Sequence, residues 1–240
     1  MRLDRWLVTL GLGSRSAVQK MIRAGQVSVN GQPVLKPETD ASPEADSLAV
    51  LGQAVDGRLT RHVLLHKPAG VLTAARDPKQ PTVMDLLPPV YRAIGCMPVG
   101  RLDKDTTGLL LLTCDGEMNH RLLSPARHVD KTYQAVVSGH LGQQEIAAFA
   151  EGIPLDDFTA LPARLEVLQA GPETSEGRVT VREGKFHQVR RMFAATGHEV
   201  LRLCRVSFGP LTLENAPPEG SWRELTPEEL SALRSAAGME

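Results

Sequence analysis

The sequence predicts an α+β protein: a small N-terminal unit of two helices and a hairpin, then a larger domain around a mostly antiparallel, mixed sheet flanked by helices. Three observations carry that expectation. Helical periodicity at the start is confined to two short amphipathic stretches that run straight into a hairpin signal. Past residue 57 the strand-like runs outnumber the helical ones and are not separated regularly by them, unlike the alternating pattern of a parallel sheet. Between them, Pro37 to Asp56 carries five acids and no base, with proline and glycine among small residues. The boundary is therefore set near Gly57, dividing residues 1–56 from 57–240.

Leu3, Trp6, Leu7 and Leu10 fall at i, i+3, i+4 and i+7, one face of a short helix that leaves Arg2 and Arg5 off the stripe. Gly11 and Gly13 break it. Ser14 is placed to cap a second helix with Ala17, Val18, Met21 and Ile22 on its buried side, Arg15, Lys20 and Arg23 outward, and Gly25 as its stop. Val27-Ser28-Val29, the Asn30-Gly31 pair and the return from Gln32 to Leu35 read as a hairpin. Leu48 to Leu51 supplies one more small strand. Gly11-Leu12-Gly13 suggests half a dinucleotide fingerprint, but Ser16 holds the third glycine position and a helix precedes it.

Arg61 to His66 reads as a strand ending at Lys67-Pro68-Ala69-Gly70. Its two histidines lack a helix and a third ligand, so no metal is expected. Residues 74–98, with five prolines, read as a long loop. Leu109 to Leu112 is an unbroken apolar run of strand length ending at Asp115-Gly116, followed by a helix over residues 117–123 that Ser124-Pro125 stops. Lys131 to Val137 is a strand, Gln143 to Glu151 a surface helix, and residues 164–168 and 177–182 are strands joined by a polar turn. Val189, Met192 and Phe193 mark a helix stripe with Gly197 at its end. Val200 to Leu213 gives one or two closing strands around Phe208-Gly209-Pro210, and Thr226-Pro227 opens a last helix.

The formal net charge of −1 hides segregation. Residues 1–36 hold six basic side chains against one acid, and residues 182–205 hold six against two, while residues 211–240 carry six acids and two bases. Charge runs are ordinarily solvated faces, yet two basic regions suit a polyanion gripped at two places. Cys96, Cys114 and Cys204 are odd in number and form no C-x-x-C pair, so neither a disulfide framework nor a zinc ribbon is expected, and a reducing cytoplasm fits. No apolar run approaches the roughly 18 residues that span a bilayer, and no cleavable signal is visible.

Chemistry concentrates in Met97 to Gly116. There Asp103, flanked by Arg101 and Lys104, sits at the mouth of the leucine strand, where a carboxylate can be kept ionised and aimed; a loop-capping role suits it as well on spacing alone. The run GRLDKDTTGLLLLT resembles the signature of the RNA pseudouridine synthases, in the branch that modifies ribosomal RNA and carries an N-terminal module of the ribosomal-protein-S4 type. MRLDRWL and SRSAVQKMIRAGQVSVNG are similar to that module. The Lys67-to-Gly70 turn, Lys131-Thr132-Tyr133 and GKFHQVRRMF resemble the family's other motifs. The resemblance implies Asp103 as the catalytic residue, Tyr133 packed on the target uracil and active in proton transfer, and Arg190 paired with Asp103.

Arg2, Arg5, Arg15, Lys20, Arg23, Arg101, His187, Gln188 and Arg191 are then expected to contact RNA. The implied partner is ribosomal RNA, in an assembling small-subunit particle, acted on by a monomer. MRLDRWL, HRLLSPARHVDKTY and GKFHQVRRMFAATG are most like members acting on the small subunit, whereas Lys104 is more like the large-subunit enzymes. The chemistry needs no cofactor, because uridine and pseudouridine are isomers. A carboxylate acts on the sugar as a nucleophile at C1′ or a base at C2′, and a nearby arginine fixes its orientation. Two other classes are weighed. A non-catalytic S4-type assembly protein leaves three motifs without purpose. A glycoside hydrolase built on Asp103 and Asp105 would place its carboxylates only ~6–7 Å apart along one extended segment, unable to flank a substrate from opposite sides.

Overall fold

Helices α1 (Leu3–Thr9) and α2 (Arg15–Arg23) pack Leu3, Trp6, Leu7, Val18 and Ile22, all fully buried, against Val27 and Leu48. This is a computed structural model and it describes residues 1–127 and 129–239; His128 and Glu240, which fall within a motif and at a domain end named above, lie outside the described residues. Ser14 caps α2, its Oγ accepting from the Ala17 N–H at 3.3 Å. Ala17 itself, expected on the buried side, is exposed, because the contact narrows to Val18 and Ile22 with Met21 half-buried. Strands β1 (Val27–Val29), β2 (Gln32–Pro33), β3 (Leu48–Val50) and β4 (Gln53–Val55) form a sheet in the order β2-β1-β3-β4. Asn30 (φ 51°) and Gly31 (φ 76°) both take the left-handed conformation that a tight two-residue hairpin requires.

The remaining strands are β5 (His62–Lys67), β6 (Met97–Pro98), β7 (Thr107–Thr113), β8 (Lys131–Ser138), β9 (Arg164–Gln169), β10 (Thr174–Val181), β11 (Val200–Phe208), β12 (Leu211–Thr212) and β13 (Trp222–Glu224). They form one sheet in the order β13-β5-β7-β11-β8-β10-β9, with β12 added on β11 and β6 on β7. Among the described residues, β7–β11 is the only parallel pairing between strands of this sheet. Helices α3 (Pro89–Ala93), α4 (Gly116–Leu123), α5 (Gln143–Glu151), α6 (Gln188–Ala195) and α7 (Pro227–Ala236) accompany it. The leucine run is unbroken because β7 is covered on both faces: Leu110 and Leu112 enter one apolar cluster with Phe149 and Phe193, Leu109 and Leu111 the other with Phe208 and Leu233.

The two sheets meet at a tight junction. Trp6 Nε1 donates to the Gly57 carbonyl at 2.7 Å, and a Cβ at residue 57 would lie 2.2 Å from the indole. Val90 of α3 and the following Ile94 complete the contact.

Residues 74–98 are not the plain loop expected. A single 3₁₀ turn over Val83–Leu86, held by Thr82 N donating to Asp85 at 2.7 Å, leads to α3, which starts on Pro89, and then to β6. Strands β4 and β13 were not anticipated, and β10 starts three residues before the expected Gly177. The cysteine expectation is corrected as well. Cys96 and Cys114 form a disulfide, with Cα atoms 4.1 Å apart, because β6 pairs antiparallel with β7 in a register that sets Met97 opposite Thr113 and so brings the flanking cysteines together. Cys204 is free. Among the described residues no helix is long and apolar enough to cross a membrane.

Candidate active site

Asp103 lies on the loop joining β6 to β7, and that loop is pinned from beneath. Lys67, at the end of β5, is fully buried, and its ammonium donates to three carbonyls: Thr106 at 2.9 Å, Pro68 at 3.0 Å and Lys104 at 3.2 Å. Gly70 N donates to the Lys104 carbonyl at 2.8 Å, and the Thr73 hydroxyl donates to the Leu102 carbonyl at 2.8 Å. The Lys67-to-Gly70 turn is thus the bed on which the aspartate loop is set. Burial pulls the Lys67 pKa down to about 8, with Asp105 and Asp103 acting the other way, so the group is still mostly charged at neutral pH. Asp103 keeps its side chain 28% exposed, open to solvent yet held.

Opposite stands α6. His187, just before it, brings Nε2 to 3.4 Å from Asp103 Oδ1. Arg190 brings Nε to 3.9 Å from Asp103 Oδ2, a loose ion pair, and spends its tight contacts elsewhere: Nη2 donates to Asp105 at 2.7 Å and Nη1 to the Val200 carbonyl at 3.0 Å. Its Nε is buried without a hydrogen-bond partner among the described residues. The guanidinium therefore bridges Asp105 to the sheet, with one unused donor beside the catalytic candidate.

Tyr133 projects from β8, opposite Arg205 on β11 and Val179 on β10, and lines the same cleft of about 820 Å³ as Asp103. Cations dominate that lining: Arg101, Lys104, Lys131, Arg182, Lys185 and Arg205 stand against Asp103 and Glu183. Of these six only Arg101 is among the expected RNA contacts, and two of the other five are buried. Lys131 Nζ, buried, donates to the Val129 carbonyl at 2.8 Å, and burial, reinforced by Arg205, lowers its pKa to about 8. Arg205, also buried, donates through Nε to the Leu109 carbonyl at 2.8 Å where β7 and β11 part. Gly108 makes that approach feasible, since a Cβ there would lie 2.3 Å from the Arg205 carbonyl oxygen.

Among the expected RNA contacts, Arg101 and His187 line the cleft. Gln188 does not present itself: it is buried, its amide donating to Glu183 at 2.9 Å and accepting from Lys185 N at 3.1 Å, so it builds the loop before α6 instead. Arg191 is paired with Asp157, which raises its pKa, and lies over the Phe158 ring. In the N-terminal unit Arg5, Lys20 and Arg23 are exposed and form no ion pair among the described residues. Arg2 is tied by two hydrogen bonds to buried Asp4, with Arg15 at 3.8 Å, and Arg2 holds that carboxyl far below the ordinary carboxylate range. Among the described residues no three His, Cys, Asp or Glu side chains cluster as metal ligands. His62 is bonded to Thr113 and His66 to the Pro217 carbonyl.

The chain is similar to known proteins along nearly all of its length. The family model described as RNA pseudouridylate synthase matches residues 61–195, and that of the S4 domain matches residues 1–46. Ribosomal small subunit pseudouridine synthase A of Pseudomonas aeruginosa is 40% identical over 97% of this chain and 100% of its own. Ribosomal large subunit pseudouridine synthase B of Bacillus subtilis is 38% identical over 98% of this chain and 96% of its own. A crystal structure of a pseudouridylate synthase superposes with a TM-score of 0.66 at 34% identity, covering 97% of this chain and 99% of the other.

Proposed function

Because this chain belongs to the RNA pseudouridine synthase family, we propose that it isomerises one uridine of the small-subunit ribosomal RNA to pseudouridine, with Asp103 as the catalytic carboxylate and no cofactor. The observation that carries the proposal is the basic cleft in which a firmly seated Asp103 shares a wall with Tyr133 and has Arg190 beside it. The reaction breaks N1–C1′, turns the uracil and forms C5–C1′, with the C5 proton lost and N1 protonated. Asp103 acts on the sugar, Tyr133 packs on the uracil and moves the C5 proton, and Arg190 orients Asp103. The base leaves its stack at a cost of a few kcal/mol, which the cationic lining offsets. Residues 1–56 hold the RNA, and residues 57–240 carry out the chemistry.

A complete site within one chain supports action as a monomer, and a ribosomal RNA substrate supports action on an assembling small-subunit particle in the cytoplasm. The test is tritium release from 16S and 23S transcripts carrying 5-tritiated uridine. Release from 16S RNA by the wild-type protein, abolished in Asp103→Asn while RNA binding persists, is expected. Full release by that variant would rule the assignment out. Lys104 and the large-subunit relative at 38% identity favour a second reading, in which 23S RNA alone releases tritium.

A further inference from the structure

The loop leading into α6 carries a side chain that the reaction does not use. Phe186 is 69% exposed, more than any other large apolar side chain among the described residues, and it lines the cleft beside Asp103. It is not loose: its ring is stacked on the imidazole of His187, with centroids 3.8 Å apart and planes 17° from parallel. His187 in turn holds a left-handed backbone (φ 50°, ψ 27°), which costs a non-glycine residue energy and tends to persist where function over-determines it. That kink sets one edge of the imidazole at Asp103 and its face under Phe186. The result is a two-ring step whose outer face is open to solvent, in a cleft that Arg101, Arg182 and Lys185 also line.

We propose that Phe186, backed by His187, is a stacking platform for an unpaired nucleobase of the RNA strand next to the uridine held at Asp103. Every base offers a π face, so an aromatic platform receives a displaced neighbour whatever its identity, while the surrounding cations take the adjoining phosphates. Extruding one nucleotide leaves its neighbour unstacked, and a ring fixed a short distance from the catalytic carboxylate is where that neighbour regains a partner. The proposal rests on the reading of this cleft as an RNA site.

The experiment compares Phe186→Ala, Phe186→Leu and Phe186→Trp with the wild type, using filter binding to 16S and 23S transcripts and single-turnover tritium release. Because the side chain is largely in solvent, all three should melt with the wild type. Losing one base–aromatic stack should weaken RNA binding about 10-fold, equivalent to about 1.4 kcal/mol, in both the Ala and Leu variants. Trp should restore it, and turnover at saturating RNA should fall less than affinity. Wild-type binding by Phe186→Ala overturns the platform, and so does wild-type binding by Phe186→Leu, which would make apolar bulk sufficient. If the wild-type protein releases no tritium from either RNA, the catalytic reading fails, while the binding comparison still decides the platform.

Discussion

Lys67→Met removes the ammonium on which the aspartate loop rests. With its pKa pulled from 10.5 to about 8, keeping this group charged inside the protein costs about 3 kcal/mol at pH 7, which methionine would recover. Against that stand three hydrogen bonds from a charged donor to the carbonyls of Pro68, Lys104 and Thr106, worth roughly 1.5–3 kcal/mol each. The loss outweighs the gain, so the variant should be less stable by about 2–6 kcal/mol, seen as a lower urea midpoint at unchanged slope. Tritium release should fall further than the folded fraction accounts for, since the loop holding Asp103 loses its bed.

The pH dependence has a definite sign. The folded pKa lies below the unfolded one, so the unfolded chain binds more protons between about pH 8 and 10.5, and the penalty of burying the charge shrinks as pH rises through that window. The stability gap between wild type and variant should therefore widen from pH 8 to pH 10. A Lys67→Met protein with the wild-type midpoint and wild-type turnover would refute the reasoning.

Gly108→Ala should destabilise the protein by at least about 3 kcal/mol or leave it insoluble, because a Cβ there meets the Arg205 backbone at 2.3 Å and φ is +105°; a soluble variant melting with the wild type would contradict this. Reducing Cys96–Cys114, which spans a separation of 18 residues, should lower the stability to urea by about 3 kcal/mol, and intact-mass measurement before and after reduction checks that the bond was present. Tyr133→Phe keeps the buried ring and removes the hydroxyl, so melting should be unchanged while single-turnover rates drop by about 100-fold or more if the phenol moves the C5 proton.

Much of this molecule is readable from local signals. The Asn30-Gly31 turn, the Ser14 and Thr226 caps and the stop at Gly197 each rest on a backbone requirement that only a few residue types meet, and all stand as expected. Strand β13 escaped because Trp222-Arg223-Glu224 is half-buried throughout and shows no alternation. The cysteine pairing depended on β6, two residues long and outside any periodicity, whose register alone brings Cys96 to Cys114. In the site, residue types on a motif indicated where the chemistry lies but not how charges divide: Arg190 grips Asp105, and Gln188 turns inward to Glu183. Lys67 looks like an ordinary charge at a strand end and Arg205 like an ordinary charge along a strand, and their burial follows from which strands meet around them.

The strand order also governs when the protein can become active. β7 and β8 follow one another in the chain yet never pair; β11 lies between them, so within the sheet the segment bearing Asp103 and the one bearing Tyr133 are hydrogen-bonded to each other only by way of residues 200–208. By that order, a chain that ends before residue 200 lacks the strand that joins the two parts of the sheet, with the acid beside one part and the phenol on the other. Chains that lack residues 200–208 are consequently expected to be inert toward the nucleoside, the site being completed only when β11, the seventh of the large sheet's nine strands in chain order, is in place.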